Sequence, residues 1–379
     1  MDDAQFSDVG GEMVSEQLMG QEIYPNEEAR GKIFSAIQQQ CFKGDRSEAI
    51  CGPLEINYFS VCFRVDVGGG EKSRRLYVKI PKVDLYAKDR KDIFPLTEAD
   101  RSLAEAEYES LLCVSQYWRS DSTGVSFAKP VCLLKEYNAI VIERVYGNDF
   151  FWSFRVWDLL GRIGVEKYTN SVHKLLFNFG AALSGFHKTW VEEGTFGAEK
   201  TIGKIDNYRT LFIPRGEKDS FLNNIVKRLS TIKDYTVNAH STRTLKGLDI
   251  RNILIDKGGL LRILDPGKMK RDCIEADLAR FLVTCRILYW GSMLFFLRIT
   301  PGRIYEESFL NGYSTGELKY EPILLRLLII KELCKHWHMA YEALRSKTWP
   351  STLKRFVAHS YMDPFYKKQI GAEMAALEC

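Results

Sequence analysis

The rhythm of apolar and polar positions changes once along the chain. Between 54 and 67, LEINYFSVCFRVDV alternates and is rich in β-branched and aromatic residues, as a strand pair requires. GGGEKSR (68–74) makes a turn, and RLYVKIPK (75–82) reads as a further strand. A helix starts at Thr97: TEADRSLAEAEYESLLCVSQYW has an N-cap, acids in its first turn, and Leu103, Leu111 and Leu112 at helical spacing. VCLLKEY and AIVIERV read as a hairpin ending near Val145. This stretch is therefore predicted to be an antiparallel sheet carrying one helix.

After Gly147 the period lengthens. HKLLFNFGAALSGFHKTW (173–190) places Leu176, Phe179, Leu183 and Phe186 at helical steps. Strands reappear briefly as NILID (252–256) and LLRILD (260–265), separated by the turn KGG. Everything beyond Glu275 reads as helical, with a break at 300–302. The pattern predicts an α+β chain in three parts. These are an N-terminal extension (1–45), a β-rich lobe (46–146) and a helical lobe (147–379), with no internal repeat.

The most apolar run, ILYWGSMLFFL (287–297), lies between Arg286 and Arg298. It is shorter than the roughly twenty residues a bilayer span needs, and is expected to be a buried helix. A peripheral contact with a membrane surface stays open.

Composition narrows the class. With 45% hydrophobic residues in 379, a full-sized core is available, and 27% charged with 12% aromatic residues excludes a disordered chain. The 53 basic and 49 acidic residues leave +4, too small a surplus to indicate nucleic-acid binding. Nine cysteines, none spaced as CxxC and several inside apolar runs, are expected to be free thiols in a reducing compartment. The acidic start, MDDAQFSDVGGEM, lacks an apolar h-region, so a cytoplasmic location is expected. A histidine metal site is not expected, because His336 and His338 are two apart and point to different helix faces.

Candidate chemistry comes from four places. Lys79 lies in an apolar strand, where an ammonium is costly without a partner. Glu107, one helix further on, can supply that partner. Asn252 stands just before the first short strand of the later hairpin and Asp265 ends the second, so the outgoing and returning chain brings them to one end. Asp265 is followed by Pro266 and Gly267. Phosphoryl transfer needs such parts: a lysine for phosphates, a glutamate to position it, and hard oxygen ligands for Mg²⁺. Simpler readings exist for each: Lys79 as a lysine at a strand edge in water, Glu107 as one of three acids on a solvated face, and Asp-Pro-Gly as an ordinary turn.

In these residues the chain resembles the aminoglycoside-phosphotransferase-like branch of the protein-kinase fold, which includes bacterial sugar and lipopolysaccharide kinases. The likeness runs over roughly 50–315. YVKIPK resembles the nucleotide-lysine strand and EYESLL the glutamate helix. IVIERVYGNDF resembles the hinge, with backbone around Glu143 to Val145 facing an adenine. FGAALSGFHKTW resembles the central helix, LKGLDIRNILID and RILDPG the catalytic and metal loops, and EADLARFL the helix with a structural aspartate, Asp277. The resemblance implies a two-lobed kinase-like fold that uses ATP or GTP with Mg²⁺. Lys79 and Glu107 would serve the nucleotide and Asn252 and Asp265 the metal.

The chain departs from that pattern at one place. The family sets its catalytic aspartate five residues before the asparagine, and here that position is Gly247. Asp249 is the nearby carboxylate. Three readings follow: Asp249 acts as the base, another group or positioning alone suffices, or transfer activity is lost and a nucleotide-binding scaffold for envelope-glycan assembly remains. The glycines at 68–70 fall between the second and third strands, so they are not expected to cradle phosphate. The 56–60 connection has no glycine, and Gly52 is a weak candidate.

An acceptor surface is expected from 285–314, where Tyr289, Trp290 and Phe295 mix with Arg286, Arg298 and Arg303. The arginines argue against a polycationic acceptor and suit a glycan. The helical spacing equally allows these aromatics to be core.

Overall fold

A computed structural model describes residues 26–42, 49–56, 60–68, 74–83, 92–118, 124–212, 220–290, 292, 296–297, 301, 303–345 and 347–377. The chain forms two compact units, Met1–Tyr117 with Phe127–Val145, and Trp118–Ser126 with Tyr146–Cys379.

The first unit is built on one antiparallel sheet. Strands β1 (Ala49–Cys51), β3 (Ser60–Val67), β4 (Arg74–Pro81), β7 (Ala139–Glu143) and β6 (Pro130–Leu134) lie side by side in that order, and β2 (Glu55–Ile56) also pairs with β3. Alternation along β4 buries Leu76, Val78 and Ile80 on one face and turns Tyr77 and Lys79 to the other. Helix α1 (Asn26–Cys41) brings Ala29, Ile33 and Ile37, each with no exposed surface, into the core formed by Phe63, Val65, Val78 and Val141. Each such large aliphatic or aromatic side chain contributes about 1.5–3 kcal/mol by leaving water. At the end of α1 the Cys41 thiol sits 3.0 Å from that of Cys132 on β6.

Helix α2 (Glu98–Tyr117) begins with a reciprocal cap. Thr97 Oγ1 accepts from the Asp100 N–H (3.1 Å), and Asp100 Oδ2 accepts from the Thr97 N–H (3.0 Å). The other oxygen of buried Asp100 accepts from the Val83 N–H at 2.8 Å, which ties the exit of β4 to the start of α2.

The second unit holds two small sheets and most of the helices. Strands β5 (Val125–Phe127), β12 (Leu261–Ile263), β11 (Ile253–Ile255) and β8 (Asn148–Asp149) form one sheet. The β11–β12 hairpin pairs Ile253 with Ile263. Its turn is closed by Asp256, which accepts from the N–H groups of Gly258 (2.8 Å) and Leu260 (2.9 Å), with Gly259 at φ +77°.

A second sheet of β9 (Glu192–Gly197), β10 (Thr236–Thr244) and β13 (Lys270–Cys273) was not foreseen by the pattern. Its central strand reads TVNAHSTRT and buries Thr242 and Thr244, so no apolar alternation marks it.

The helices are α3 (Phe150–Arg162), α4 (Glu166–Thr189), α5 (Ala198–Phe212), α6 (Ser220–Leu229), α7 (Glu275–Arg286), α8 (Arg303–Ser314), α9 (Pro322–Arg345), α10 (Ser351–Val357) and α11 (Asp363–Leu377). Helices α4 and α8 meet backbone to backbone: a Cβ on Gly180 would run into the Phe309 carbonyl, and one on Gly312 into that of Phe177.

The helix expected over 287–297 does not continue from α7, which ends at Arg286 and passes into turns at 287–290. The reason is chemical. Arg155 donates to the carbonyl oxygens of Leu288 (2.6 Å) and Trp290 (3.1 Å), which a continuing helix would need for itself. Residues 291, 293–295 and 298–300 of this region lie outside the described residues. Among the described residues no helix is long and apolar enough to cross a membrane.

Candidate functional site

In the first unit the sheet and α2 bring two of the singled-out side chains together. Lys79 pairs across β4 with Cys62 on β3 and Ile140 on β7. On the face opposite the buried valines, its Nζ lies 2.8 Å from Oε2 of Glu107 on α2. The two side chains keep 18% and 13% of their surface, so the pair is sheltered yet reachable from solvent. A different lysine, Lys82, is fully withdrawn and donates to the carbonyls of Ile93 (2.7 Å) and Pro95 (2.9 Å), a structural tie.

The strand β7 ends at Glu143. Its N–H donates to the Lys129 carbonyl at 2.8 Å, and the Arg144 N–H donates to the Arg75 carbonyl at 2.9 Å. The Val145 N–H has no hydrogen-bond partner among the described residues, and the Glu143 side chain points into solvent. Residues 57–59, between β2 and β3, lie outside the described residues.

In the second unit two loops are pressed together. The Gly247 N–H donates to the Pro266 carbonyl at 2.8 Å, and the Leu264 N–H donates to the Asn252 carbonyl at 2.8 Å. Asn252 Nδ2 donates to the Gly247 carbonyl at 3.0 Å, which fixes the orientation of the amide. Asp265 Oδ1 accepts from the Gly267 N–H at 2.8 Å, and Gly267 holds φ at +62°.

A Cβ at Gly247 would lie 2.5 Å from the Asp265 carbonyl oxygen and 2.7 Å from the Gly267 nitrogen. Any side chain there is therefore excluded by the 265–267 backbone, aspartate included.

Asp249 starts the short 3₁₀ turn Ile250–Asn252 and accepts from Arg251 three times: N–H (2.9 Å), Nε (2.8 Å) and Nη2 (2.5 Å). Burial pushes its carboxyl up, but the Arg251 guanidinium and N–H outweigh this and hold it below the usual carboxylate range. It is thus an ionised, arginine-clamped group, with 17% of its side chain exposed against 52% for Arg251.

The loop is braced from α7. Buried Asp277 accepts from the Leu245 N–H at 2.7 and 3.0 Å, from Arg280 Nη1 at 2.9 Å and from His187 Nε2 at 3.1 Å. Since a carboxylate accepts, His187 carries its proton on Nε2, and its Nδ1 receives the Tyr313 hydroxyl at 2.9 Å. Arg280 also donates to the Leu245 carbonyl at 2.6 Å, and Thr284 Oγ1 receives the Ile250 N–H at 3.3 Å. Arg280, Thr284 and Tyr313 escaped the sequence reading. The spacing of Asp277 and Arg280 on one helix face was the available signal.

The 285–314 segment behaves differently from the expected acceptor surface. Arg286 is buried and held by both oxygens of Glu306 (2.7 and 2.8 Å) and by Glu373 (2.8 Å). Tyr289 is buried and gives its hydroxyl to Asp158. Arg303 is exposed, while Phe295 and Arg298 lie outside the described residues. Further along the fold, Gly147, Asn148, Asp149, Trp152, Val156 and Trp157 line an open concavity of about 450 Å³.

Among the described residues no group of three or more His, Cys, Asp or Glu is placed to hold a metal. Asn252 and Asp265 each carry an oxygen of the hard kind that Mg²⁺ takes from protein, with phosphate and water completing its shell.

This architecture is the protein-kinase-like fold. The chain is similar to the choline kinase LicA from Streptococcus pneumoniae, with a TM-score of 0.52 and 13% identity over 92% of this chain and 99% of that one. It is also similar to aminoglycoside 2'-phosphotransferase-IIIa in its GDP complex, with a TM-score of 0.51 and 11% identity over 91% and 98%. No protein-family model and no curated protein sequence matches the chain.

Proposed function

We propose that this chain transfers the γ-phosphate of ATP or GTP to a hydroxyl group of a small, carbohydrate-type acceptor. The observation that carries the reading is the Lys79–Glu107 ion pair, 2.8 Å long and sheltered on the polar face of an otherwise apolar strand. An ammonium is placed there at a cost, and phosphate oxygens are the ligands it suits. The free Val145 N–H and the Glu143 backbone give an edge for an adenine or guanine base. Asn252 Oδ1 and the Asp265 carboxylate are hard oxygen donors fit for Mg²⁺, which when bound neutralises phosphate charge. Asp249 orients the acceptor hydroxyl and takes its proton late, since a loose transition state asks little of a base. Exposed Arg251 and Arg303 favour a neutral or anionic acceptor over a polycation.

A second reading, a nucleotide-binding scaffold without transfer, is favoured by the clamp of Arg251 on Asp249. Calorimetric titration of ATP and GTP with and without Mg²⁺ decides the first step. Mg²⁺-dependent binding in the wild type, weakened tenfold or more in Asp265→Asn and Lys79→Ala, is expected; no binding of either nucleotide sinks both readings. Asp249→Asn is then expected to keep nucleotide affinity and to lose at least 100-fold in turnover. Turnover unchanged in that variant removes Asp249 from the chemistry.

A further inference from the structure

The segment from α9 through α10 carries exposed apolar side chains beside several cations. Trp349 is 42% exposed, Leu353 42% and Phe356 54%; Leu353 and Phe356, three residues apart, share one side of α10, and Trp349 stands just before that helix. Tyr361 packs its ring edge-on against Phe356 (5.6 Å) and Phe296 (4.8 Å), which brings Leu297, 63% exposed, beside the same patch. Leu353, Phe356 and Leu297 therefore face water as one patch, with Trp349 exposed nearby in the chain, where a surface ordinarily scatters such groups singly.

The segment that carries most of them holds charge of one sign, with the Arg345–Glu342 ion pair (3.3 Å) at its edge. From 343 to 362 there is no Asp or Glu, while Arg345, Lys347, Lys354 and Arg355 are present. Lys347 and Arg355 have no ion-pair partner among the described residues, and Lys354 reaches back to the Arg345 carbonyl at 2.8 Å.

We propose that this face docks on the surface of an anionic phospholipid bilayer. Tryptophan, leucine and phenylalanine would enter the boundary of headgroups and acyl chains, and the cations would lie at the level of the phosphates. A second copy of the chain is a poor occupant, because a two-fold contact would set the same cations against each other. Nucleic acid has no use for the exposed aliphatic groups. The proposal does not rest on the phosphotransferase reading.

The test is sedimentation of the full chain with sucrose-loaded vesicles of phosphatidylcholine, with or without about 30 mol% phosphatidylserine. Binding to the anionic vesicles is expected, weakening at roughly 0.5 M salt. Leu353→Ser with Phe356→Ser, and separately Lys354→Glu with Arg355→Glu, should each weaken it at least tenfold while leaving circular dichroism unchanged. Failure to bind anionic vesicles overturns the proposal, as does binding that both double variants retain. Self-association abolished by the first variant, without vesicle binding, assigns the face to a second copy and overturns it equally.

Discussion

Glu275, at the start of α7, has no exposed surface, and its Oε1 accepts from the Glu321 N–H at 2.7 Å. Burial pushes its carboxyl up to about 7, only partly offset by hydrogen bonds from Glu321, its own N–H and Cys273. His336 on α9 is the opposite case: burial, with the Lys335 charge, pushes its imidazole down to about 4. Each shift makes stability depend on pH. For Glu275 the folded chain binds the extra proton, so its contribution is complete below the unfolded value near 4.5 and is lost as pH rises to about 7. For His336 the unfolded chain binds the extra proton, so stability is complete above about 6.5 and is lost as pH falls towards 4. The two slopes, about 3 kcal/mol each over their windows, nearly cancel. Urea titrations from pH 4.5 to 7 should thus find little slope from this pair in the wild type. Glu275→Gln should uncover stability that rises with pH, and His336→Gln stability that falls. Parallel profiles in all three proteins would refute the assignment.

Among the elements, glycine contacts set the tightest tolerances. Gly180 and Gly312 let α4 and α8 approach until backbone touches backbone, so Gly180→Ala or Gly312→Ala should cost about 2–4 kcal/mol in denaturant unfolding. Gly31 meets nothing within 4 Å, and Gly31→Ala in α1 should stabilise by up to about 1 kcal/mol. These contacts were invisible in the sequence, because nothing in GAALSG or FLNGYS says what lies opposite. The strand carrying Lys79 was legible because its apolar partners alternate, and α2 because Thr97 and Asp100 announce its start. The β9–β10–β13 sheet was not legible, since its strands are mostly polar and pair with segments far along the chain, such as Thr244 with Lys270 and Ser241 with Glu192.

At the scale of the whole chain, nucleotide binding should appear as thermal stabilisation. Mg²⁺ with ATP at 100 times its dissociation constant contributes about 2.7 kcal/mol, a rise of a few degrees in melting temperature. Lys79→Ala and Asp265→Asn should lose that rise, and Asp249→Asn should keep it; a rise in all four proteins would place the nucleotide elsewhere. The sequence revealed the order of the kinase-like parts, since each is local. It did not reveal how the parts are used. Arg286 and Tyr289 looked like acceptor contacts until their carboxylate partners Glu306, Glu373 and Asp158 appeared, each brought in by the fold from elsewhere in the chain.

The contact of Gly247 with Pro266 and Gly267 also limits how this chain can change over generations. A glycine codon becomes a codon for aspartate or glutamate by one base substitution, so the genetic code presents no obstacle to a carboxylate at 247. The obstacle is the order of events. The 265–267 backbone must first move away, and that earlier step weakens the loop while gaining nothing on its own. Variation around Asp249 is therefore more open to this chain than a carboxylate at 247.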